Sequence, residues 1–306
     1  GMEFYDVLNQ LAQGGQGTTL RVKRKLDNQI VVLKQSFCDN AKSGNDALRE
    51  AKTLQGLDHP HIVRYEDVFL TEDGRQLVVC LVMAYMEGGD LARYMIIVKK
   101  HGMTVEPNRV VVWTKQLSSA IAYLHQHKIV HRDLKPQNVF MADDNVLKVG
   151  DFGLAQTIER GKRTSHVGTP CYMAPEVLHH DEYADAVDVW GMGCILMETM
   201  TLEFLWERKG MLASQVEHAP VRAADFPQTY PHILRDCIAR CLRKAPEQRP
   251  GAAMLLDALE NAGRKPENSS LDINQLFGDW QATASKAISG LWLGNEKEEE
   301  KPEHAI

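Results

Sequence analysis

The hydrophobic positions of this chain fall into two regimes. Over the first ~90 residues, β-branched and apolar side chains mostly alternate with polar ones, the period of half-buried strands. Val31-Val32-Leu33-Lys34 sits in such a strand, and the apolar run from Leu77 to Met83 reads as another. One stretch breaks this pattern: Ala47, Leu48, Ala51 and Leu54 share one face of a predicted helix. Further along, the period lengthens. Val110, Trp113, Leu117, Ile121 and Leu124 recur at helical spacing and predict a helix that delivers the chain to His131. Past Leu259 the character changes again. Asn261 to Ser270 is polar and reads as a linker. Ile273, Leu276, Phe277, Trp280, Ala284, Ala287, Ile288 and Leu291 then fall on one helical stripe, with Trp292 beside it. A helix of this kind must bury its apolar face. Packing on the rest of the chain or on a second copy is the first reading of 273–292, and a docking helix for a partner the next. Contact with a membrane surface is the less favoured one, because the end of the chain, Glu296 to Glu303, carries five glutamates and two lysines and reads as disordered.

Composition narrows the class without naming an activity. The 306 residues suffice for a two-lobed domain with a large core, and 44% hydrophobic with 25% charged residues is ordinary for a soluble globular protein. A net charge of -6 disfavours nonspecific binding to nucleic acid or anionic lipid. Six cysteines stand at 38, 80, 171, 194, 237 and 241, with no CxxC pair, which points to thiols in a reducing compartment. Cys237 and Cys241 lie one helical turn apart, as on a buried helix face. There is no secretory apolar region and no run long enough to span a bilayer, so the expectation is a soluble, cytoplasmic protein. The chain opens Gly1-Met2, which is no myristoylation signal, and Gly1 reads as the scar of a removed tag.

The chemistry is concentrated in His131-Arg132-Asp133-Leu134-Lys135-Pro136-Gln137-Asn138, followed by Asp151-Phe152-Gly153. An acid, a lysine, an amide and a second acid stand at a spacing suited to phosphoryl transfer. Asp133 can accept the proton of an attacking hydroxyl, and Lys135 can neutralise charge on the phosphoryl group in flight. Asn138 and Asp151 offer hard oxygen ligands for magnesium. This stretch resembles the catalytic-loop signature of the protein kinases. The resemblance runs from about Tyr5 to Leu259. It implies an α+β, two-lobed fold: a small, mainly antiparallel β lobe with one key helix over residues 1–83, and hinge plus a larger helical lobe over 84–262. Residues 263–306 form the tail.

The resemblance assigns further residues. Leu11-Ala12-Gln13-Gly14-Gly15-Gln16-Gly17 resembles the glycine-rich loop whose backbone covers the phosphates of ATP. The match departs at Ala12, Gln16 and Thr19, which points to reduced nucleotide affinity, and alone the loop reads equally well as a hairpin turn. Lys34 would contact the α- and β-phosphates, paired with Glu50 because a buried cation needs a partner. Met83 would screen a back pocket, Ala84 and Met86 would meet the adenine edge through their backbones, and Val32 and Phe140 would sandwich the base. Asp90 would hold a ribose hydroxyl or cap a helix, two roles left open. His131 would pack on Phe152, Asp188 would hold the catalytic loop, and Glu176 would pair with Arg249. Thr169 would bridge Asp133 and Lys135. Ser165, with Thr164 beside it, is the expected site of an activating phosphate received by Arg132.

Within the kinases, Glu87-Gly88-Gly89-Asp90-Leu91, Asn138-Val139-Phe140 and Gly168-Thr169-Pro170-Cys171-Tyr172-Met173-Ala174-Pro175-Glu176 look like the NIMA-related (Nek) serine/threonine kinases. The implied activity is transfer of the ATP γ-phosphoryl, with Mg2+, to serine or threonine of protein substrates. The alternatives are a pseudokinase scaffold, supported by Ala12 and Thr19 and opposed by the intact Lys34, Glu50, Asp133, Asn138 and Asp151, and a small-molecule kinase, disfavoured by the peptide-platform motif at 168–176.

Overall fold

The computed structural model describes residues 1–264 except 15–16, 75, 144, 153–155, 158–169, 180–183 and 205–219. Five antiparallel strands form the small lobe: β1 (Tyr5–Gly14), β2 (Gly17–Arg24), β3 (Ile30–Cys38), β4 (Tyr65–Asp73) and β5 (Gln76–Ala84), in the order β1-β2-β3-β5-β4. The period-2 pattern of β3 divides its side chains. Val31 and Leu33 enter a small core with Val22, Val78, Cys80 and Val82. Val32 points the other way and packs against the larger core, and Lys34 follows it on that face. Helix α1 (Ala41–Gln55) starts at a capping box in which Asn40 Oδ1 accepts from the Ser43 N–H and the Asn40 N–H donates to Ser43 Oγ. Its Ala51 and Leu54 are buried, as the sequence pattern predicts.

The large lobe is built around two helices, α3 (Pro107–Gln126) and α5 (Ala186–Thr201), preceded respectively by α2 (Leu91–Lys100) and the short α4 (Pro175–Leu178). Helix α3 begins with the Glu106 carboxylate capping Arg109 N–H and Pro107 in the first turn. It buries Val110, Trp113, Leu117, Ile121 and Leu124, the stripe read from the sequence. Helix α5 is apolar on nearly all sides and lies inside the lobe, where Trp190, Met192, Ile195 and Leu196 are buried. Helices α6 (His232–Cys241) and α7 (Ala252–Arg264) close it, with α7 packed on α3 and extending two residues past the expected boundary at 262, so that Asn261 to Arg264, read as the start of a linker, are helical. Cys237 and Cys241 are buried and unbridged, and burial raises the Cys237 thiol to about 12.

Two polar constructions tie distant segments to α5. Arg249 is fully buried beneath Trp190, its guanidinium 5.0 Å from the indole ring. Its Nη1 and Nη2 donate to the two Glu176 oxygens at 2.5 and 2.7 Å. The carbonyls of Ala186, Arg243 and Lys244 take its remaining N–H groups. All five donors are thus satisfied, the condition under which a buried ion pair is tolerable. The second is Asp188, whose side chain has no exposure. One oxygen accepts from the His131 N–H at 2.9 Å and lies 2.9 Å from His125 Nε2; the other accepts from the Arg132 N–H at 2.9 Å. Burial alone would raise its pKa. The hydrogen bond and charge of His125 and the Arg132 N–H override burial and hold it below the ordinary aspartate value. At Gly191 the catalytic loop crosses α5 so closely that a Cβ would lie 2.9 Å from Leu134 Cβ.

Arg249→Ala is expected to destabilise the large lobe by about 3–5 kcal/mol, because it strands the Glu176 carboxylate in the core; a thermal melt beside Glu176→Gln/Arg249→Met, which removes both charges and loses much less, checks this. For Asp188, the native state binds fewer protons than the unfolded one because its native pKa is depressed. Its contribution is therefore complete above the unfolded value near 4 and is lost as pH falls through the lower native value. Denaturant melts at stepped pH should show Asp188→Asn less stable at neutral pH, with the difference from the parent narrowing in acid.

Candidate active site

Strand β6 (Ile129–Val130), the loop that follows it, and the hairpin of β7 (Val139–Asp143) and β8 (Val146–Val149) form the floor of the cleft between the lobes. The loop departs from ordinary backbone geometry at Arg132, where φ is +69°, and Asp151 follows with φ +56°. Left-handed conformation is unfavourable for residues with a Cβ and persists where surrounding bonds over-determine it. Asp188 supplies those bonds at Arg132. His131, fully buried, lies 3.0 Å through Nε2 from the Gly150 carbonyl and accepts from the Asp133 N–H through Nδ1 at 3.3 Å. Since a carbonyl only accepts, Nε2 carries the proton. The ring also lies 4.7 Å from that of Phe152, the packing role expected for it.

Asp133 is thereby held at the mouth of this loop, 14% exposed. Lys135 Nζ donates to its Oδ2 at 2.7 Å. Asn138 Nδ2 donates to the Asp133 carbonyl at 2.7 Å and to Oδ2 at 3.1 Å. With its amide nitrogen committed there, Asn138 directs Oδ1 to the opposite side. The Gly150 N–H donates to the Asn138 carbonyl at 2.9 Å, which binds the loop to the segment that carries Asp151.

Lys34 reaches across the cleft and bonds to Asp151 Oδ1. Burial alone would raise the Asp151 pKa, but the Lys34 charge and hydrogen bond, with the charge of Lys135, hold it below the ordinary aspartate value. The group is an anion at neutral pH. Sequence reasoning assigned Lys34 to Glu50; the residue it meets is Asp151. Glu50 lies on α1, but its side chain lies outside the described residues. An ionised carboxylate at Asp151 and an amide oxygen at Asn138 form a hard-oxygen donor set. That chemistry fits Mg2+, which binds through one or two carboxylates plus phosphate oxygens rather than an all-protein cage.

The nucleotide-facing residues come together as follows. Leu11 is on the exposed edge strand β1, and Gly14 pairs with Gly17 to close the β1–β2 hairpin. A Cβ at Gly17 would lie 1.9 Å from the Gln35 carbonyl, so only glycine fits beside β3. Thr19 pairs across to Ala12 on one side and Lys34 on the other. Val32 pairs with Met83, which is buried. The Ala84 N–H is taken by the Arg64 carbonyl at 3.1 Å, which leaves only its carbonyl as a candidate for a base edge. No backbone acceptor meets the Met86 N–H among the described residues. Asp90 caps α2, accepting from the Arg93 N–H at 2.9 Å, and bridges to Phe140 through its backbone. Capping is thus one of the two roles left open for it. The loop tip at 15–16, and Thr164, Ser165 and Thr169, lie outside the described residues.

Three supporting residues escaped the sequence reading. His125, in the last turn of α3, orients Asp188; its only signal is a polar side chain beside the apolar stripe of that helix. Tyr65, buried at the start of β4, packs edge-on to Phe152 at 5.8 Å. Lys148 donates to the Pro60 carbonyl at 2.6 Å, fastening the turn after α1 to β8. Neither Tyr65 nor Lys148 has a local pattern that marks it.

Comparison with known proteins agrees with this geometry. Residues 5–259 match the family model described as protein kinase domain. A mouse serine/threonine-protein kinase Nek4 is 34% identical over 256 residues, which is 82% of this chain and 32% of that protein. A rice Nek3 is 35% identical over 83% of this chain and 43% of its own length, and a human Nek11 is 32% identical over 94% and 45%. The chain thus spans about a third to a half of the length of these relatives. With the family's model covering both lobes and the Asp133, Asn138 and Asp151 constellation lying within the match, the chain belongs to the protein kinase family.

Proposed function

We propose that this chain is a serine/threonine protein kinase that transfers the γ-phosphoryl group of ATP to protein hydroxyls. The observation that carries this reading is the bonding of Asp133 to both Lys135 and Asn138 in a loop anchored on buried Asp188. In this reading Asp133 orients the substrate hydroxyl and takes its proton late. Lys135, 2.7 Å from Asp133, neutralises charge on the group in transfer. Lys34 neutralises the nucleotide phosphates from above, leaving Asp151 to a cation. Asn138 and Asp151 would hold Mg2+, which supplies charge neutralisation between the phosphates. Met83, Val32 and Phe140 enclose the base, and the Met86 N–H is the donor for its edge. Rate acceleration then comes mainly from positioning, because phosphoryl transfer asks little covalent chemistry of the protein.

The finer points rest on sequence. Lys135 and Thr169 favour serine and threonine over tyrosine. Phosphate on Ser165 or Thr164 would turn a basic stretch, Arg160 to Arg163, into a partner for Arg132 and so order the segment. The names of the relatives support serine/threonine specificity. Six unbridged thiols fit a reducing, intracellular setting. No helix among the described residues is long and apolar enough to cross a membrane.

The test is mass spectrometry of the protein after incubation with Mg-ATP and a generic protein acceptor, beside Asp133→Asn. Phosphate should appear on serine or threonine of the acceptor and on Ser165 or Thr164, and the initial rate should fall about 10²–10⁴-fold in the variant. ATP binding that persists with no phosphate on any acceptor would instead favour a scaffold.

A further inference from the structure

Large apolar side chains exposed on the helical lobe are confined, among the described residues, to one short stretch. Ile96 is 67% exposed, Ile97 45% and Met103 52%; the remaining exposed ones lie between positions 4 and 70, in the small lobe. Helix α2 buries Leu91, Met95 and Val98 on its other side, so this is a second apolar face on a helix of only ten residues. The face is also basic. Arg93, Lys99 and Lys100 are exposed on it, and Leu91–Lys100 contains no acid. That is unusual on a chain with a net charge of -6. A face that is both apolar and basic calls for an occupant that is apolar and acidic.

The chain carries such a segment. Ile288, Leu291 and Trp292 end the apolar stripe, and Glu296, Glu298, Glu299 and Glu300 follow at once. This segment issues from α7, which packs on α3, and six residues connect α2 to α3. The Tyr230 hydroxyl fastens that connection by donating to the Val105 carbonyl at 2.8 Å. Residues 265–272 span up to about 26–29 Å when extended, and α3 is about 30 Å long. Residues 273–283 add at least about 16 Å even as a helix, so the docking segment reaches the α2 end of the lobe from either end of α3.

We propose that the exposed face of α2 is an intramolecular docking site for residues 284–300 of the same chain. The end of the apolar stripe covers Ile96, Ile97 and Met103, and the glutamates meet Lys99 and Lys100. The patch spans about two helical turns, so it takes the last turns of the stripe rather than its whole length.

Hydrogen exchange measured by mass spectrometry on the full chain tests this. Amides of 284–300 should exchange at least about tenfold more slowly in the parent than in Lys99→Glu/Lys100→Glu. Raised salt should shrink the difference. Combining that variant with Glu298→Lys/Glu299→Lys/Glu300→Lys should restore protection, and Ile96→Asp should abolish it. Equal exchange in parent and variant, or no recovery on charge exchange, overturns the proposal. Protection that grows with protein concentration, with a dimer mass in light scattering, overturns the intramolecular assignment in favour of a second copy.

Discussion

Everything at the catalytic loop depends on one buried carboxylate. Asp188 accepts from two consecutive backbone N–H groups at 2.9 Å, and one of them belongs to a residue held in left-handed geometry. Without an anion there, the loop would relax from Arg132 onward, and Asp133 would lose its position relative to Lys135 and Asn138. Burying that anion is costly, and the structure offsets the cost locally. His125 faces it from α3, and the loop's own N–H groups complete its shell. A charge placed on the most apolar helix of the lobe therefore acts as a fastener: it is strong because it is dry and satisfied because both of its oxygens are bonded.

The cleft is organised by a second economy, that of strand alternation. One face of β3 closes the small core, and the other presents Val32 and Lys34 to the cleft. The small lobe thus needs no separate element to carry the lysine. The lobes meet through Lys34 and Asp151, through the ring contacts of Tyr65 and His131 with Phe152, and through Lys148 on the turn after α1. The first contact is polar and lies where phosphates would bind. The others are apolar or backbone-directed.

Much of this was legible in the sequence wherever the deciding interaction is local or periodic. The strand alternation around Val31–Lys34, the buried stripe of α3 and the helix-face cysteines 237 and 241 all follow from neighbours in the chain. The pairing of Glu176 with Arg249 and the hold of Asp188 on the loop were also anticipated, but through resemblance; nothing local brings positions 73 residues apart together. The supporting contacts of His125, Tyr65 and Lys148 left almost no trace, because a single polar or aromatic residue looks the same whether it faces water or a distant backbone.

The sequence by itself therefore determined the elements, the catalytic spacing from Asp133 to Asn138 and the family, because each is carried by short-range pattern or by a contiguous motif. Tertiary structure decided the partners. It set Lys34 on Asp151, bound the Asp90 carboxylate to the first turn of α2, and spent the Ala84 N–H on Arg64. A charged or polar group can be satisfied by any of several partners, and only the packed arrangement of strands and helices fixes which lies within about 3 Å.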